Sequence, residues 1–146
     1  MKFRLVIDPD QEEEVVVTAR RPSALTDELE QLVRRHEGAD GLTAYTEDEV
    51  LELPYRDIAC LTTSLGKTWA IDRLGRRYRL RQRLCDLEEH LPASFMRINK
   101  SAIANRAHLM KFKTTFSGAV DAVFTCGYTE YVSRRCFAAI KRRFGL

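Results

Sequence analysis

The chain has 146 residues, of which 45% are hydrophobic and 31% are charged, with only seven Gly and four Pro. This composition is typical of one folded domain or two small ones, and it excludes a fibrous or disordered protein. No apolar stretch approaches the roughly 20 residues of a membrane-spanning helix, and acidic residues follow the N-terminus closely, so we expect a cytoplasmic protein without a signal peptide.

Charge is distributed unevenly along the chain. Residues 1–53 contain six Lys and Arg against fourteen Asp and Glu, a net charge of −8, whereas residues 54–146 contain eighteen against seven, a net charge of +11. A basic surface attracts nucleic acid because the phosphates release their counterions on binding. We therefore expect the region from Pro54 onward to bind nucleic acid, although solvated arginines, or arginines paired with the acidic segment, would also account for this charge.

The first forty residues predict a small acidic ββα unit. Alternating apolar residues at 3–7 and a β-branched run at 14–18 predict a β-hairpin. Ser23 precedes an apolar stripe with a period of 3.6 residues, which predicts a helix that ends at a cap on Gly38. We divide the chain into domains at 1–40 and 41–146, and we expect the first to mediate dimerisation or to receive a signal.

After the turn at Gly38–Gly41 the hydrophobic period changes from 3.6 to about 2, which predicts antiparallel strands joined by hairpins. The predicted strands cover residues 42–46, 49–53, 56–63, 67–72, 76–80, 108–114, 119–124 and 128–132. A stripe of four leucines predicts a short amphipathic helix over 80–92, ending at Pro92. Ser133 is expected to cap a final helix from Arg134 to about Phe144. The pattern as a whole predicts a mostly β fold with short helices (α+β).

Enzyme chemistry is not indicated. The three histidines lie in unrelated elements, and the chain has no nucleophile elbow and no Gly-rich turn between a strand and a helix. The G-K-T of residues 66–68 lacks the upstream glycine of a phosphate-binding loop and falls in a predicted hairpin. The four cysteines are too widely spaced for a zinc site or a disulfide framework, so buried free thiols are expected. We predict no catalytic residue, no metal, no cofactor and no small-molecule substrate.

Two motifs carry a family resemblance. The stretch FMRINKSAIAN at 95–105 is followed about thirty residues later by VSRR at 132–135, immediately before the last predicted helix. Together with the preceding strands, these motifs resemble the LytTR (LytR/AlgR-type) family of bacterial DNA-binding domains over the region from about Leu42 to the end. Asn99 stands where that family often has His or Ser. The resemblance implies a multi-sheet antiparallel β domain of three sheets with a C-terminal helix, whose loops enter successive major grooves of double-stranded DNA.

By this resemblance three loops should meet DNA: the hairpin at Ser64–Lys67, the segment around Asn99 and Lys100, and the start of the final helix at Arg134 and Arg135. Lys and Arg can reach guanine or phosphate, and Asn can pair with adenine. Arg97, Ser101 and Asn105 are expected to support these loops by internal hydrogen bonds. At most half of the arginines between Arg73 and Arg83 can follow phosphates, because a strand displays only alternate residues on one face.

The predicted function is that of a stand-alone regulator that binds promoter DNA as a homodimer on repeated sites, without a receiver domain, since the first domain is too short for one. The resemblance further implies a small membrane-protein partner. Two alternatives stay open. One is a protein-interaction module or inhibitor that acts through the acidic first domain. The other is an RNA-binding β-barrel, which would need an aromatic platform, whereas Trp69, Tyr78 and Phe124 are interpreted as core.

Overall fold

The computed structural model describes residues 1–12, 14–37 and 41–145. The chain divides into two compact units, Met1–Ala39 and Asp40–Leu146. The first unit contains helix α1 (Ala24–Glu37). The second contains the following elements in chain order: β1 (Gly41–Tyr45), β2 (Val50–Pro54), β3 (Ile58–Ser64), β4 (Lys67–Asp72), β5 (Arg77–Leu80), α2 (Leu84–Glu88), β6 (Phe95–Asn99), β7 (Ala102–Asn105), β8 (Leu109–Thr114), β9 (Val120–Phe124), β10 (Thr129–Val132) and α3 (Arg134–Phe144).

Helix α1 begins as predicted, directly after Ser23. The Ser23 hydroxyl accepts a hydrogen bond from the Thr26 backbone N–H at 3.3 Å, and the Thr26 hydroxyl accepts one from the Ser23 backbone N–H at 2.9 Å. This reciprocal pair satisfies donors that the first turn of a helix leaves free. The predicted cap at Gly38 and the turn that follows it lie outside the described residues.

The predicted hairpin of residues 3–7 and 14–18 is wrong. The described residues before Ala24 form no strand, and their apolar side chains face solvent, with Phe3 90% and Val16 73% exposed. A two-stranded hairpin is stable only when its apolar face packs on a third element. The intervening residues 8–13 are mostly acidic and offer no Asn-Gly type of turn, so neither the turn nor a packing partner favours pairing. The first unit is therefore not a ββα unit in the described residues.

The second unit is built on two antiparallel sheets, whereas the resemblance implied three. Seven strands form the larger sheet in the order β2-β1-β5-β4-β3-β7-β6, and three form the smaller sheet in the order β10-β9-β8. At the start of β1 the strands approach so closely that a Cβ on Gly41 would lie 2.3 Å from the Leu53 carbonyl oxygen. Only glycine fits that position.

Each face of the larger sheet buries a separate apolar cluster. One face packs against the smaller sheet and α3, and its core includes Ile98, Phe124 and Ile140. The opposite face carries Leu61 and Leu80, which pack with Leu84 and Leu87 of α2. Both α3 and β10 contact β6, and this fixes where the C-terminal helix begins relative to the ends of the strands.

Two elements differ from their sequence-based predictions. The helix predicted over 80–92 is only the five-residue α2, because Leu80 instead continues strand β5 and pairs with Thr68 of β4. The FMRINKSAIAN stretch, for which no strand was predicted, forms the β6–β7 hairpin; its short apolar strands are buried on both faces and so lack the alternation that identifies an amphipathic strand. In the described part of the chain no helix is long and apolar enough to span a bilayer.

Candidate nucleic-acid interface

The β3–β4 hairpin ends in a tight turn that presents exposed side chains. Ser64 pairs with Lys67, and the two residues between them, Leu65 and Gly66, have φ of 54° and 75°. Positive φ at both central residues is the geometry of a type I′ turn, which matches the right-handed twist of the flanking strands. Leu65 is 96% exposed at its tip. The sequence predicts the hairpin through Gly66 but gives no signal for a left-handed leucine.

The β6–β7 turn is held by the side chain of Asn99, which is only 5% exposed. Its Nδ2 donates to the Tyr131 carbonyl oxygen at 2.6 Å and to Glu130 Oε1 at 3.2 Å, and its Oδ1 accepts from the Ser101 N–H at 2.6 Å. The amide of Asn99 is therefore fully engaged within the protein. Lys100, one residue further on, is exposed at the tip of the turn.

Glu130 is itself anchored by Tyr128, whose hydroxyl donates to Glu130 Oε2 at 2.5 Å. Burial, followed by this hydrogen bond, raises the pKa of Tyr128 above its ordinary value, so the phenol stays protonated and remains a donor. Tyr128 and Glu130 thus form a rigid link between Asn99 and strand β10. Sequence reasoning missed this link because it joins residues about thirty positions apart.

Helix α3 begins where predicted. The Ser133 hydroxyl accepts from the Cys136 N–H at 3.2 Å, which confirms the predicted N-cap. Arg134 and Arg135 occupy the exposed first turn. Positive charge is unfavourable there, because the helix dipole places partial positive charge at its N-terminus, whereas Lys141, Arg142 and Arg143 in the last turn are favourably placed.

Backbone hydrogen bonds bring these three segments to one edge of the second unit. The Thr63 N–H donates to the Ser101 carbonyl oxygen at 2.8 Å, which places the β6–β7 turn beside the end of β3. The Ser133 N–H donates to the Ile98 carbonyl oxygen at 2.8 Å, which places the start of α3 on the other side of the same turn. The order along this edge, the loop edge, is therefore Ser64–Lys67, Asn99–Ser101 and Ser133–Arg135.

Of the three residues expected to support the loops, Asn105 is buried, Arg97 is half-buried and Ser101 is exposed. Asn105 is 2% exposed; its Nδ2 donates to the carbonyl oxygens of Tyr55 at 3.2 Å and Ile58 at 2.8 Å, and its Oδ1 accepts from the Ala107 N–H at 3.1 Å. Arg97 lies 3.4 Å from Glu88 through its Nη2. The backbone of Ser101 bonds on both sides of the turn: its N–H donates to Asn99 Oδ1, and its carbonyl oxygen accepts from the Thr63 N–H.

Four of the six arginines from Arg73 to Arg83 fall into two groups. Arg73 and Arg76 form ion pairs with Asp57 at 3.7 Å and Asp72 at 3.1 Å. Arg77 and Arg79 instead stack over the ring of Trp69, with guanidinium-to-centroid distances of 4.6 Å and 5.8 Å. The prediction that Trp69 is core is wrong, because it belongs to neither apolar cluster and is half-buried beneath these arginines.

Nothing in this arrangement resembles a catalytic or metal centre. Within the described ranges, no group of three or more His, Cys, Asp or Glu residues is placed to hold a metal ion. The residues that converge are exposed cations on short, well-anchored turns. Such an arrangement suits contact with an extended polyanion better than it suits a small ligand.

Residues 48–145 match the LytTr DNA-binding domain family model. The chain belongs to this family. A solved LytTr DNA-binding domain from Bacillus cereus superposes on 75% of this chain and 100% of its own, with a TM-score of 0.69 and 21% sequence identity, which shows the same fold. The family binds DNA and is not an enzyme family, in agreement with the sequence-based exclusion of enzyme chemistry.

Relatives of full length occur in Staphylococcus aureus. Proteins named as uncharacterized HTH-type transcriptional regulators in strains bovine RF122 / ET3-1 and NCTC 8325 / PS 47 are 26% identical over 149 residues, covering 100% of this chain and 99% of their own. A third, from strain MSSA476, is 28% identical over 105 residues, covering 72% of this chain and 71% of its own. Those names refer to a helix-turn-helix, in which a short turn joins two helices. In this chain five strands separate α2 from α3, and the LytTr region presents hairpin turns at its loop edge.

Proposed function

We propose that this protein is a sequence-specific transcriptional regulator that acts in the cytoplasm and binds promoter DNA through the loop edge. One observation carries the proposal: three segments that are far apart in sequence are hydrogen-bonded side by side, and each presents exposed cations to one edge. Membership of a DNA-binding family and the names of the full-length relatives support it. Each loop enters the major groove of the duplex, and together they read successive grooves.

The exposed cations are the proposed contacts. Lys67, Lys100 and Arg135 are exposed and are carried by turns fixed from within, so they can meet bases or phosphates without costly ordering of the backbone. Arg134 and the N-terminal amides of α3 hold a phosphate, which also offsets the unfavourable placement of two arginines at a helix start. The Ser64 hydroxyl donates a hydrogen bond to the DNA backbone beside the groove that Lys67 enters.

Asn99 has a different role in this proposal from the direct base contact that the family resemblance implied. To reach a base, its amide would have to release Tyr131, Glu130 and Ser101. Breaking hydrogen bonds of a buried amide costs about 1–3 kcal/mol for each group left unsatisfied. We assign Asn99 to positioning Lys100, with Leu65 as an additional contact that packs against a thymine methyl group or a sugar.

A gel shift with the protein's own upstream promoter tests the proposal. Binding should survive competitor DNA and weaken steeply with salt, since each phosphate contact releases counterions. Lys100→Ala and Arg135→Ala should each lower affinity without changing the circular dichroism spectrum, and Arg135→Ala should cost about 1–3 kcal/mol if it reads a base. Arg142→Ala is the matched control, because it removes an exposed arginine from the other end of the same helix.

No preference for the promoter over random duplex would refute sequence-specific regulation. Equal losses for Arg142→Ala and Arg135→Ala would show that binding depends on net charge alone and not on the loop edge. A Lys100 contact to phosphate is recognised separately, because its loss should lower the slope of log affinity against log salt by about one.

The first unit is proposed to pair two copies of the protein on repeated sites, and to be the part that a small membrane-protein partner recognises. Its exposed apolar residues, including Phe3, Ile7 and Val16, give such a contact its apolar surface. In light scattering, the wild-type chain should have the mass of a dimer and a Phe3→Ser/Ile7→Ser variant that of a monomer. A monomeric wild type at the same concentration would refute dimerisation.

A further inference from the structure

The β8–β9 hairpin lies at the same edge as the three proposed DNA-reading loops. In the smaller sheet, Thr114 at the end of β8 pairs with Val120 at the start of β9, and Val120 pairs with Val132 at the end of β10. Val132 is followed directly by Ser133, whose N–H bonds the Ile98 carbonyl oxygen. The connection of residues 115–119 therefore extends the loop edge beyond the start of α3.

The tip of this hairpin is ordered and displays an unusual side chain. The Thr115 N–H donates to the Ala119 carbonyl oxygen at 2.9 Å, and the Gly118 N–H donates to the Thr115 carbonyl oxygen at 3.0 Å. The Thr115 and Ser117 hydroxyls lie 2.9 Å apart. Phe116, held between them, is fully exposed. A phenyl ring kept in water on a closed turn has no role in the fold of this unit, because it buries nothing there.

The surroundings of Phe116 favour DNA as its partner over an apolar protein surface. Lys113 and Lys111 are exposed on the strand that leads to the tip, and hydroxyl groups flank the ring on both sides. Lysines and hydroxyls are donors to phosphate oxygens, and an apolar ring between them can pack on sugars in the minor groove. Asp121 on β9 stands opposite Lys113, while the tip itself carries no acidic residue.

We propose that the β8–β9 hairpin is a fourth DNA contact, in which Phe116 packs against the sugars of the minor groove that flanks the site and Lys113 bonds an adjacent phosphate. The inference rests on the proposed function and adds to it a contact outside the three loops implied by the family. The hairpin extends the footprint at one end only, since it lies at the opposite end of the loop edge from the Ser64–Lys67 turn.

Hydroxyl-radical footprinting of the full chain on its promoter tests this assignment. On a promoter fragment that carries one copy of the repeated site, Phe116→Ala should remove protection at one end and weaken binding by about fivefold, while Phe116→Leu should retain most of both, because the contact is apolar. Lys113→Ala should lower the salt slope by about one. Met110→Ala is the matched control, because Met110 is an exposed apolar residue near the other end of the same strand.

A shortened duplex sharpens the result. When the DNA ends at the inner limit of the protection that depends on Phe116, wild type and Phe116→Ala should bind it equally. If Phe116→Ala keeps the wild-type footprint and affinity on the long duplex while Lys100→Ala loses them, the hairpin contact is refuted and the proposed function stands. If wild type shows no preference for the promoter, both are refuted. Since Phe116 is fully exposed, none of these outcomes depends on a variant that fails to fold.

Discussion

Replacing Leu65 by Asn should stabilise the protein and weaken its binding to DNA. A left-handed conformation costs an ordinary L-residue about 1–2 kcal/mol, whereas Asn adopts it readily. Leu65 has φ of 54° and is 96% exposed, so its removal forfeits almost no buried apolar surface. The substitution also creates Asn-Gly, the favoured pair for a type I′ turn. We expect a gain of about 1 kcal/mol in the free energy of unfolding.

Urea unfolding followed by circular dichroism measures the gain, and a gel shift on the promoter measures the loss. For a unit of this size, 1 kcal/mol corresponds to a rise in Tm of about 4 °C. Leu74→Asn is the control, because Leu74 also precedes a left-handed glycine, Gly75 at φ 83°, but among the described residues Leu65 is the one non-glycine with positive φ. Equal stability changes in the two variants would refute the argument from backbone strain.

Three further predictions concern the frame behind the loops. Asn105→Ala should lower stability by about 3 kcal/mol or more, at about 1 kcal/mol or more for each of the two carbonyl groups and the one N–H that lose this partner; unchanged thermal unfolding would contradict this. Ser133→Ala should cost about 1 kcal/mol in urea unfolding through loss of the helix cap. Burial raises the pKa of Asp72, but hydrogen bonds from the Arg76 and Leu74 N–H groups and the Arg76 guanidinium outweigh it, so the pKa lies below its ordinary value. The stability contributed by this carboxylate is present above the unfolded-state pKa of about 3.9 and is lost as the pH falls through the lower folded-state value. Asp72→Asn should therefore destabilise the protein at pH 7 and make a much smaller difference at pH 3, as urea titrations at both pH values would show; a difference that stays constant would rule out the carboxylate as its source.

Local patterns in the sequence were sufficient to predict several of the helices and strands. Ser133 followed by an apolar stripe predicts α3 from its first to its last residue, and the alternation in β4 and β9 predicts those strands within a residue or two. Helix α3 and strand β9 each bury one face, so their patterns report their structure directly, whereas β4 is buried on both faces over Ala70–Asp72. The family motif also identified the segments that adjoin at the loop edge.

Other features depend on partners that the sequence does not reveal. The segments at 3–7 and 14–18 have the pattern of strands, yet a pattern supplies no third strand for them to pack on. Trp69 has a large apolar side chain of the kind found in cores, but on the sheet it lies beneath the guanidinium of Arg77. Asn99 has the chemistry of a base contact, and only the packing of Glu130 and Tyr131 shows that its amide is already in use.

Three departures from local preference coincide at the loop edge. Leu65 is left-handed where glycine or asparagine would be favoured, Arg134 and Arg135 occupy a helix start where acidic residues would be favoured, and Phe116 is exposed on a turn where a polar residue would be favoured. Folding alone gives no reason for these choices to gather on one side of the unit. Under the proposed function a bound polyanion would supply the reason, because it would pair with the arginines and cover the leucine and the phenyl ring, and so would compensate each local cost only in the complex.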